Sequence, residues 1–221
     1  NCKNMEADLT RQYQYKGFTF RNQMTMTLVN SQESPYGAFS DYIRMNHYDT
    51  YMDENGEIGM NIATWHSGST YRNPMYDAML GSYDKGKRHE FYDQFDVRYY
   101  LNKKINFKAN IALGYIVSDD DQFTDPASAK FKDMLKKGQL VTSTQKQSTY
   151  DISLNGYYND PLGNHNINFV PGVNIREHKT AYKAFTYRHF PECGLSRPVY
   201  VQESPTATYI HTSNARCSVQ M

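Results

Sequence analysis

The sequence predicts an all-β, antiparallel fold, and the main reason is a pair of alternating runs joined by a short turn. In residues 105–117 every odd position is uncharged. The even positions 106, 108 and 110 are asparagine, lysine and asparagine. A period of two is that of a strand with one apolar and one polar face. A second such run covers 91–101, and only residues 102–104 separate the two. The two runs therefore predict a long β-hairpin.

The length of these strands separates the hairpin from the sheets of most soluble domains, whose strands are usually about 5–6 residues long. The run 105–117 contains 13 residues, which span roughly 40 Å at about 3.3 Å each. Tilted by about 40°, such a strand rises roughly 30 Å, enough to cross the apolar layer around an outer-membrane barrel. The hairpin therefore predicts a segment of a transmembrane β-barrel.

Further strands are predicted along the rest of the chain. Alternation marks them at 11–15, 18–30, 147–159 and 166–177. The apolar phase changes at Lys16-Gly17, which indicates a turn because a continuous strand keeps its phase. Pro171 lies inside the last run and lacks a ladder donor, so we expect a bulge or a strand end there. The tail from about 205 to 221 shows no clear alternation, and no strand is expected in it.

The predicted connections alternate between short and long. The short ones are 16–17, 102–104 and 160–165, and the long ones are 31–90, 119–146 and 178–205. Outer-membrane barrels have this order, with short periplasmic turns and long extracellular loops. About six strands cannot close a barrel that needs at least about eight. We therefore interpret residues 1–221 as part of an up-and-down barrel wall.

Two of the long connections contain helix signals. Asn73 can cap a helix that starts with Pro74 and stops at Gly81. Asp125 can cap a second helix that stops at Gly138. We therefore expect short helices within the long loops.

Composition argues against several other classes of protein. The net charge is +1 at pH 7, which does not suit nucleic-acid binding. No stretch of about 18 apolar residues occurs, so no membrane-spanning helix is expected. The mean hydropathy of -0.78 would suit a soluble domain, but barrel strands need only every second residue apolar. The cysteines, Cys2, Cys193 and Cys217, lie far apart and outside any metal-ligand spacing.

No catalytic site, cofactor or metal site is predicted. Asp119, Asp120, Asp121 and Asp125 could offer oxygen ligands to Ca²⁺, but they lack the spacing of a calcium loop and suit a solvated acidic loop. The 7 histidines are scattered and belong to no nucleophile or metal motif. We therefore do not expect an enzyme.

Aromatic residues of the longest loop are the candidate ligand-binding residues. Aromatic faces with a polar tip suit sugar rings and peptide side chains. The same side chains could instead pack the loop onto the rim of the sheet or onto a partner protein. The candidates are Tyr36, Tyr42, Tyr48, Trp65 and Tyr71.

The first long loop and the strands beside it also contain clustered motifs. They are Phe20-Arg21-Asn22, Ser34-Pro35-Tyr36-Gly37-Ala38-Phe39-Ser40-Asp41-Tyr42, Arg44-Met45-Asn46, Asp53-Glu54-Asn55-Gly56-Glu57, Asn73-Pro74-Met75-Tyr76-Asp77-Ala78 and Glu90-Phe91. With these motifs, the sequence over about residues 11–190 resembles the SusC/RagA family of TonB-linked outer-membrane transporters.

The resemblance implies a large barrel with an inner plug, located in the lipid bilayer of the bacterial outer membrane and energised through TonB. It also implies a SusD-like lipoprotein partner and uptake of oligosaccharides or peptides. The plug and its TonB-contacting segment are absent from the sequence, so we expect the chain to be an interior piece of a longer protein. The alternative is a soluble extracellular β-sandwich that binds glycans or proteins, in which a second sheet covers the apolar stripe.

Overall fold

The fold is one large antiparallel sheet, seen in a computed structural model. The model describes residues 2–37, 39–43, 48–52, 55–63, 70–162, 165–191, 198 and 205–220. The strands of the described chain are β1 (Cys2–Tyr15), β2 (Phe18–Gln32), β3 (Asn61–Ala63), β4 (Thr70–Arg72), β5 (Tyr83–Tyr100), β6 (Ile105–Thr124), β7 (Gln139–Leu162), β8 (His165–Phe169), β9 (Gly172–Arg188) and β10 (Thr206–Gln220). Its helices are α1 (Phe39–Ile43), α2 (Pro74–Met79) and a 3₁₀ turn at Ala129–Phe131.

The sheet follows the chain in an up-and-down order. Its strands lie in the sequence β1-β2-β5-β6-β7-β9-β10, and β8 pairs with the end of β7. Strands β3 and β4 form a separate two-stranded sheet. The turns 16–17 and 101–104 and the paired ends of β7 and β8 lie at one end of the strands, which we call the turn end. The ends of β2, β6 and β9, where the long connections begin, lie at the opposite end, the loop end. The predicted all-β, antiparallel fold is therefore confirmed.

Several strands extend beyond the alternating runs toward the loop end. β5 begins at Tyr83 instead of 91, and β6 ends at Thr124 instead of 118. The added part of this hairpin places Lys85 opposite Asp121 and Lys87 opposite Asp119. Opposite charges directly across a ladder favour pairing. The strand therefore continues where its apolar alternation has stopped, which the period alone could not show.

The end of the chain differs from the expectation of no strand in the tail. β10 pairs antiparallel with β9 along its length, from Thr206 opposite Thr186 to Gln220 opposite Gly172. Its alternation is weak because small or polar residues such as Ser213 occupy most positions on the face that carries Tyr209 and Val219. Pro171 behaves as expected, since β8 ends just before it and β9 begins just after it.

The two predicted helices have different outcomes. Asn73 caps α2, with its side chain accepting a hydrogen bond from the Met75 backbone N–H and Pro74 in the first turn. The predicted helix after Asp125 is wrong, because only the 3₁₀ turn at Ala129–Phe131 forms there. Thr124 and Gln139 are direct partners in the sheet, so the 14 residues between them must return to their starting point. A helix of about 12 residues would extend about 18 Å and leave too little chain for the return.

None of the helices in the described part of the chain is both long enough and apolar enough to cross a membrane.

The small buried core lies at the loop end. Phe123, Leu140 and Phe190 form it, with Tyr83 and Tyr187 packed against them. The rings of Phe123 and Phe190 meet edge to face at a centroid distance of 5.4 Å. Within the described residues, burial is concentrated here and in the adjacent loops, while the middle of the sheet has both faces open.

Candidate functional site

The two faces of the large sheet differ in chemistry. The register places the odd residues of β6 on the same face as the odd residues of β1, β5, β9 and β10 and the even residues of β2 and β7. We call this the apolar face and the other the polar face. Most large exposed apolar side chains of the long strands lie on the apolar face, for example Met5, Leu9, Phe18, Met26, Phe91, Phe95, Phe107, Ile111, Leu113, Ile152, Leu154, Val173 and Ile175.

The apolar band on this face is sloped relative to the strand ladder. On β6 it reaches Val117, but on β7 its last aromatic is Tyr150, which lies opposite Leu113. On β9 it stops at Ile175, and the charged pair Glu177 and Lys179 follows. On the same side of β7 as β9, β8 continues the band toward the turn end with exposed Phe169. The band thus descends toward the turn end from β6 to β9.

One polar pair interrupts the apolar band. The amide nitrogen of Asn22 donates a 2.6 Å hydrogen bond to the carboxylate of Asp93. Asp93 has Met24 and Leu113 as its direct cross-strand neighbours. Arg11 lies directly opposite Asn22 on β1. The pair satisfies part of the carboxylate's hydrogen-bonding capacity in otherwise apolar surroundings.

The polar face is covered by hydrogen-bonded charged groups. Asp151 accepts from the Nε of Arg176 at 2.7 Å and from Asn174 at 3.0 Å. The ring nitrogens of His178 lie 2.9 Å from the Thr149 hydroxyl and 3.0 Å from the Thr180 hydroxyl. These contacts join β7 to β9 through side chains as well as through the backbone ladder.

A hollow of about 590 Å³ lies on the polar face, across the middle strands. Its floor includes Gly114, where a Cβ atom would come within 3.1 Å of the Tyr92 ring. Gln23, Gln94 and His178 stand around it. The absence of a side chain at Gly114 therefore leaves room for the Tyr92 ring, which lies directly opposite it on β5.

At the turn end, an ion pair connects the 101–104 turn to the end of β7. The Nζ of Lys104 lies 2.7 Å from the Asp160 carboxylate, which also accepts a 2.9 Å hydrogen bond from the Tyr158 hydroxyl. The hydrogen bond to Asp160 raises the pKa of Lys104 above its ordinary value. The backbone N–H of Asn159 donates to the Lys104 carbonyl at 2.8 Å. The 101–104 turn is thereby held against the end of β7.

At the loop end, buried side chains join different connections. Asn73 is 1% exposed, and its amide nitrogen donates to the carbonyls of Tyr51 and Gly59, both at 2.9 Å. Asp77 forms an ion pair with Arg72 and accepts a 3.1 Å hydrogen bond from the Ala129 N–H. We call residues 73–82, 125–138 and 189–191 the loop platform. The Phe190 N–H closes it by donating to the Lys137 carbonyl at 2.9 Å.

The candidate ligand-binding aromatics are spread along the first long connection. Tyr36 is 54% exposed in the turn after β2, and Tyr48 is 77% exposed. Tyr42 lies in α1 and is half-buried. Tyr71 is a backbone partner of Ile62 in the β3–β4 pair. Trp65 lies outside the described residues. Their ligand-binding role stays a prediction.

Sequence reasoning missed the polar face as a candidate site. Its residues occupy the polar positions of the same alternating runs, so the signal was present, but alternation treats those positions only as the solvated side. The strand register was needed to show that Asp151 and His178 reach partners on the neighbouring strand.

Cysteines and acidic groups form no metal centre in the described part of the chain, where no three His, Cys, Asp or Glu side chains lie close enough to hold an ion. Cys2 on β1 and Cys217 on β10 are exposed free thiols. Cys193 lies outside the described residues.

Comparison with known proteins finds similarity in structure. No protein-family model matches the sequence, and the search of curated proteins found no significant match. The structure of the RagAB peptide transporter matches 99% of this chain with a TM-score of 0.74 and 11% identity. The RagAB peptide importer in its closed-closed and open-open states matches with a TM-score of 0.70 and 10% identity in each case, covering 97% and 99% of this chain.

The matched region is a minor part of those proteins. The chain spans about a quarter of the length of each solved chain, 25% or 26%. At this level of identity the similarity establishes the fold: an antiparallel sheet with the topology of part of a transporter chain.

Proposed function

We propose that this chain is part of the wall of a β-barrel in the bacterial outer membrane, and that the barrel takes up nutrients. The observation that supports this most directly is the exposed apolar face, which lies opposite a polar face on the same strands. In barrels that cross a membrane, apolar side chains face lipid and polar ones face the lumen. The apolar face would contact the bilayer and the polar face would line the interior.

The slope of the apolar band supports the same orientation. A bilayer's apolar layer is flat, whereas barrel strands lean by about 35–45° from the membrane normal. A band perpendicular to tilted strands would therefore leave the membrane at one side of the sheet. A band that stays level must be staggered along leaning strands, as the band is between Val117 on β6 and Ile175 on β9.

The finer features of the proposal rest on the resemblance of the loop motifs and on the transporter fold. The parent protein would be energised through TonB by way of a plug encoded outside residues 1–221, and a SusD-like lipoprotein would cover the loop end. Its cargo would be peptides or oligosaccharides, and the similarity to a peptide transporter favours peptides. The chain itself is assigned no catalytic role.

A soluble β-sandwich is the second candidate, and it needs another sheet packed on the apolar face. Among the described residues, the other sheet is only the short β3–β4 pair. Leu154 is 55% exposed, which is not the burial of a sandwich core. The membrane proposal is therefore the better supported one.

Two isoleucines on β6 provide a matched test of the lipid-facing assignment. Ile111 lies on the apolar face between Phe95 and Ile152, whereas Ile116 lies on the polar face between Glu90 and Gln147. We expect Ile111→Arg to cost about 2–4 kcal/mol if it lies near the bilayer midplane, and Ile116→Arg to be tolerated. Urea unfolding of the parent protein in lipid vesicles measures both. Equal effects of the two changes would contradict the assignment.

Fractionation of the parent protein tests localisation separately. We expect recovery in the outer-membrane pellet after an alkaline wash, because integral barrels resist extraction that removes peripheral proteins. Recovery in the soluble fraction would support the sandwich.

A further inference from the structure

The polar face is divided by charge along the strands. Ala112 and Gly114 on β6 mark the boundary between its two halves, and each residue is assigned to a half through the register. The strand residues of the turn-end half include the cations Arg21, Arg98, Lys108, Arg176 and Arg216 and the carboxylates Asp96 and Asp151. The strand residues of the loop-end half include the carboxylates Glu6, Asp8, Asp84, Glu90 and Asp120 and the cations Arg88 and Arg188. The turn-end half is therefore basic and the loop-end half acidic.

Four of the turn-end cations face each other in two pairs of register partners. Arg176 on β9 faces Arg216 on β10, and Arg176 is bound there by Asp151. Arg98 on β5 faces Lys108 on β6. Like charges at directly opposed positions destabilise a strand pair. A sheet selected only for stability would not be expected to place two cations there, so the arrangement suggests that an anion is bound at this point.

The nearest carboxylate is already occupied by other donors. Asp96 accepts hydrogen bonds from Gln94 at 3.1 Å and from Asn110 at 2.9 Å. It also lies 3.6 Å from the Nζ of Lys108. Its negative charge is thereby shared with Lys108 and with two amide groups.

The two arginines of this region donate to neutral oxygens. Arg98 donates to the Tyr100 hydroxyl at 3.1 Å, and its guanidinium carbon lies 6.0 Å from the Tyr100 ring centroid. Arg21 donates to the amide oxygen of Gln23 at 3.3 Å. Both guanidinium groups make these neutral contacts close to Asp96, which lies directly opposite Arg21 in the register, and they retain further donors for a bound acceptor.

These side chains surround a hollow of about 280 Å³ on the polar face. Arg21, Arg98 and Lys108 line it, together with Gln12, Gln14 and Thr19. The hollow holds one carboxylate against three cations, and the amides and hydroxyl add neutral donors. Its volume suits a carboxylate with a few attached atoms.

The geometry points to a carboxylate-binding site in this hollow, with Arg21 and Arg98 as the main ligands and Lys108 as the third cation. The planar guanidinium group binds a carboxylate through two parallel hydrogen bonds. A bound carboxylate would also offset the repulsion between Arg98 and Lys108. The acidic loop-end half of the same face would repel the ligand's negative group and direct it toward the turn end.

The site goes beyond the proposed function, because it requires only the polar face and does not depend on what covers the apolar face. The carboxylate could belong to a peptide or to an acidic sugar. The test is made on the parent protein in detergent micelles, after its β-sheet content has been verified by circular dichroism. Isothermal titration at low salt with tri-glutamate measures binding, and we expect it to weaken as salt is added.

Matched arginine variants identify the site. We expect Arg21→Gln and Arg98→Gln each to weaken tri-glutamate binding by about tenfold or more, as for loss of a charge-assisted hydrogen bond. Arg11→Gln is the control, because Arg11 lies opposite Asn22, one position from Arg21 in the ladder but on the other face of the sheet. An equal loss in Arg11→Gln, or equal binding of tri-lysine, would overturn the proposal.

The source of the carboxylate is distinguished by two further probes. Binding of tri-alanine but not of its C-terminal amide assigns the site to a peptide terminus. If trigalacturonate binds and tri-alanine does not, the site is assigned to an acidic sugar. Either assignment supports a carboxylate site. Failure of all carboxylate probes in a folded chain overturns it. The bilayer proposal is unaffected by that failure, since its test is the contrast between Ile111→Arg and Ile116→Arg.

Discussion

Asp93 and Asn22 show how a single pair of residues can interrupt an apolar face. Each has large apolar side chains as neighbours. The 2.6 Å hydrogen bond between them satisfies polar groups that these neighbours cannot bind. Alternation in the run 91–101 places Asp93 in phase with Phe91 and Phe95, so the sequence predicted its face. Only the register revealed that Asn22, on a different strand, is its partner.

Replacing one member of this pair should cost more than replacing both. Asn22→Leu would leave the Asp93 carboxylate without its side-chain donor, whereas Asn22→Leu with Asp93→Leu would make the band continuous. We expect the single variant to lose about 1–3 kcal/mol of stability and the double variant to be at least as stable as the original chain. Urea unfolding in lipid vesicles measures both, and a double variant weaker than the single one would contradict this expectation.

Lys104 is the residue through which pH should act at the turn end. Its pKa is raised by the hydrogen bond to Asp160, so its contribution to stability is fully present below the ordinary lysine pKa. The contribution is lost as the pH rises through the raised value. We expect Lys104→Met to remove this alkaline loss while Lys103→Met, a change in the same turn, retains it. Thermal unfolding in detergent measures the difference. About five pH values from about 8 to about 12 bracket the ordinary lysine pKa.

At the scale of the element, Gly138 ends the connection between β6 and β7. It has a φ of +78°, and a Cβ atom there would approach Pro126 to 2.8 Å and Phe190 to 3.0 Å. Gly56 has a similar φ of +82° with nothing within 4 Å. Both glycines therefore have a left-handed backbone conformation, but only Gly138 is surrounded by atoms that a methyl group would crowd.

Alanine at these glycines should separate backbone strain from crowding. We expect Gly56→Ala to cost about 1–2 kcal/mol for the left-handed conformation. We expect Gly138→Ala to cost that amount and about 1–3 kcal/mol more, because the added methyl group would overpack the core of the loop platform. Chemical unfolding of both variants gives the comparison. Equal costs would show that the loop platform relaxes around the methyl group.

Asn73 is the second element-scale prediction. Asn73→Asp keeps the shape and the helix cap but places a carboxylate oxygen against the Tyr51 and Gly59 carbonyls. Each carbonyl then loses its donor, at about 1–3 kcal/mol each. We expect faster proteolysis within residues 48–63, with cleavage of the 101–104 turn unchanged as the internal control. Unchanged cleavage of 48–63 would show that other contacts hold this loop.

For the whole molecule, the two outer edges of the sheet are the dominant feature. In the described structure, β1 pairs only with β2 and β10 only with β9. Long unpaired edges are templates for further pairing, and in lipid each unpaired backbone group costs several kcal/mol. In the proposed membrane location, both outer strands would therefore need pairing partners.

The isolated chain should accordingly associate through its edges. We expect the 221-residue chain in detergent to elute as dimers or larger species with β-sheet content retained. Size-exclusion chromatography with light scattering measures this. A stable monomer with full β-sheet content would show that the edges are protected in another way.

The sequence alone determined the class of fold, because a period of two over long runs has one structural solution and the short and long connections alternate. It also determined the faces of β2, β5, β6 and β7 and the capped helix at Asn73, since these depend on local spacing and local hydrogen bonds. It could not determine the strand ends near Asp119, the absence of a helix after Asp125, or β10. Those depend on partners supplied by distant segments: cross-strand charges, the return of a closed loop, and the ladder of β9. The carboxylate hollow belongs to this second group, because Arg21, Arg98 and Lys108 come from three strands and only the register brings them together.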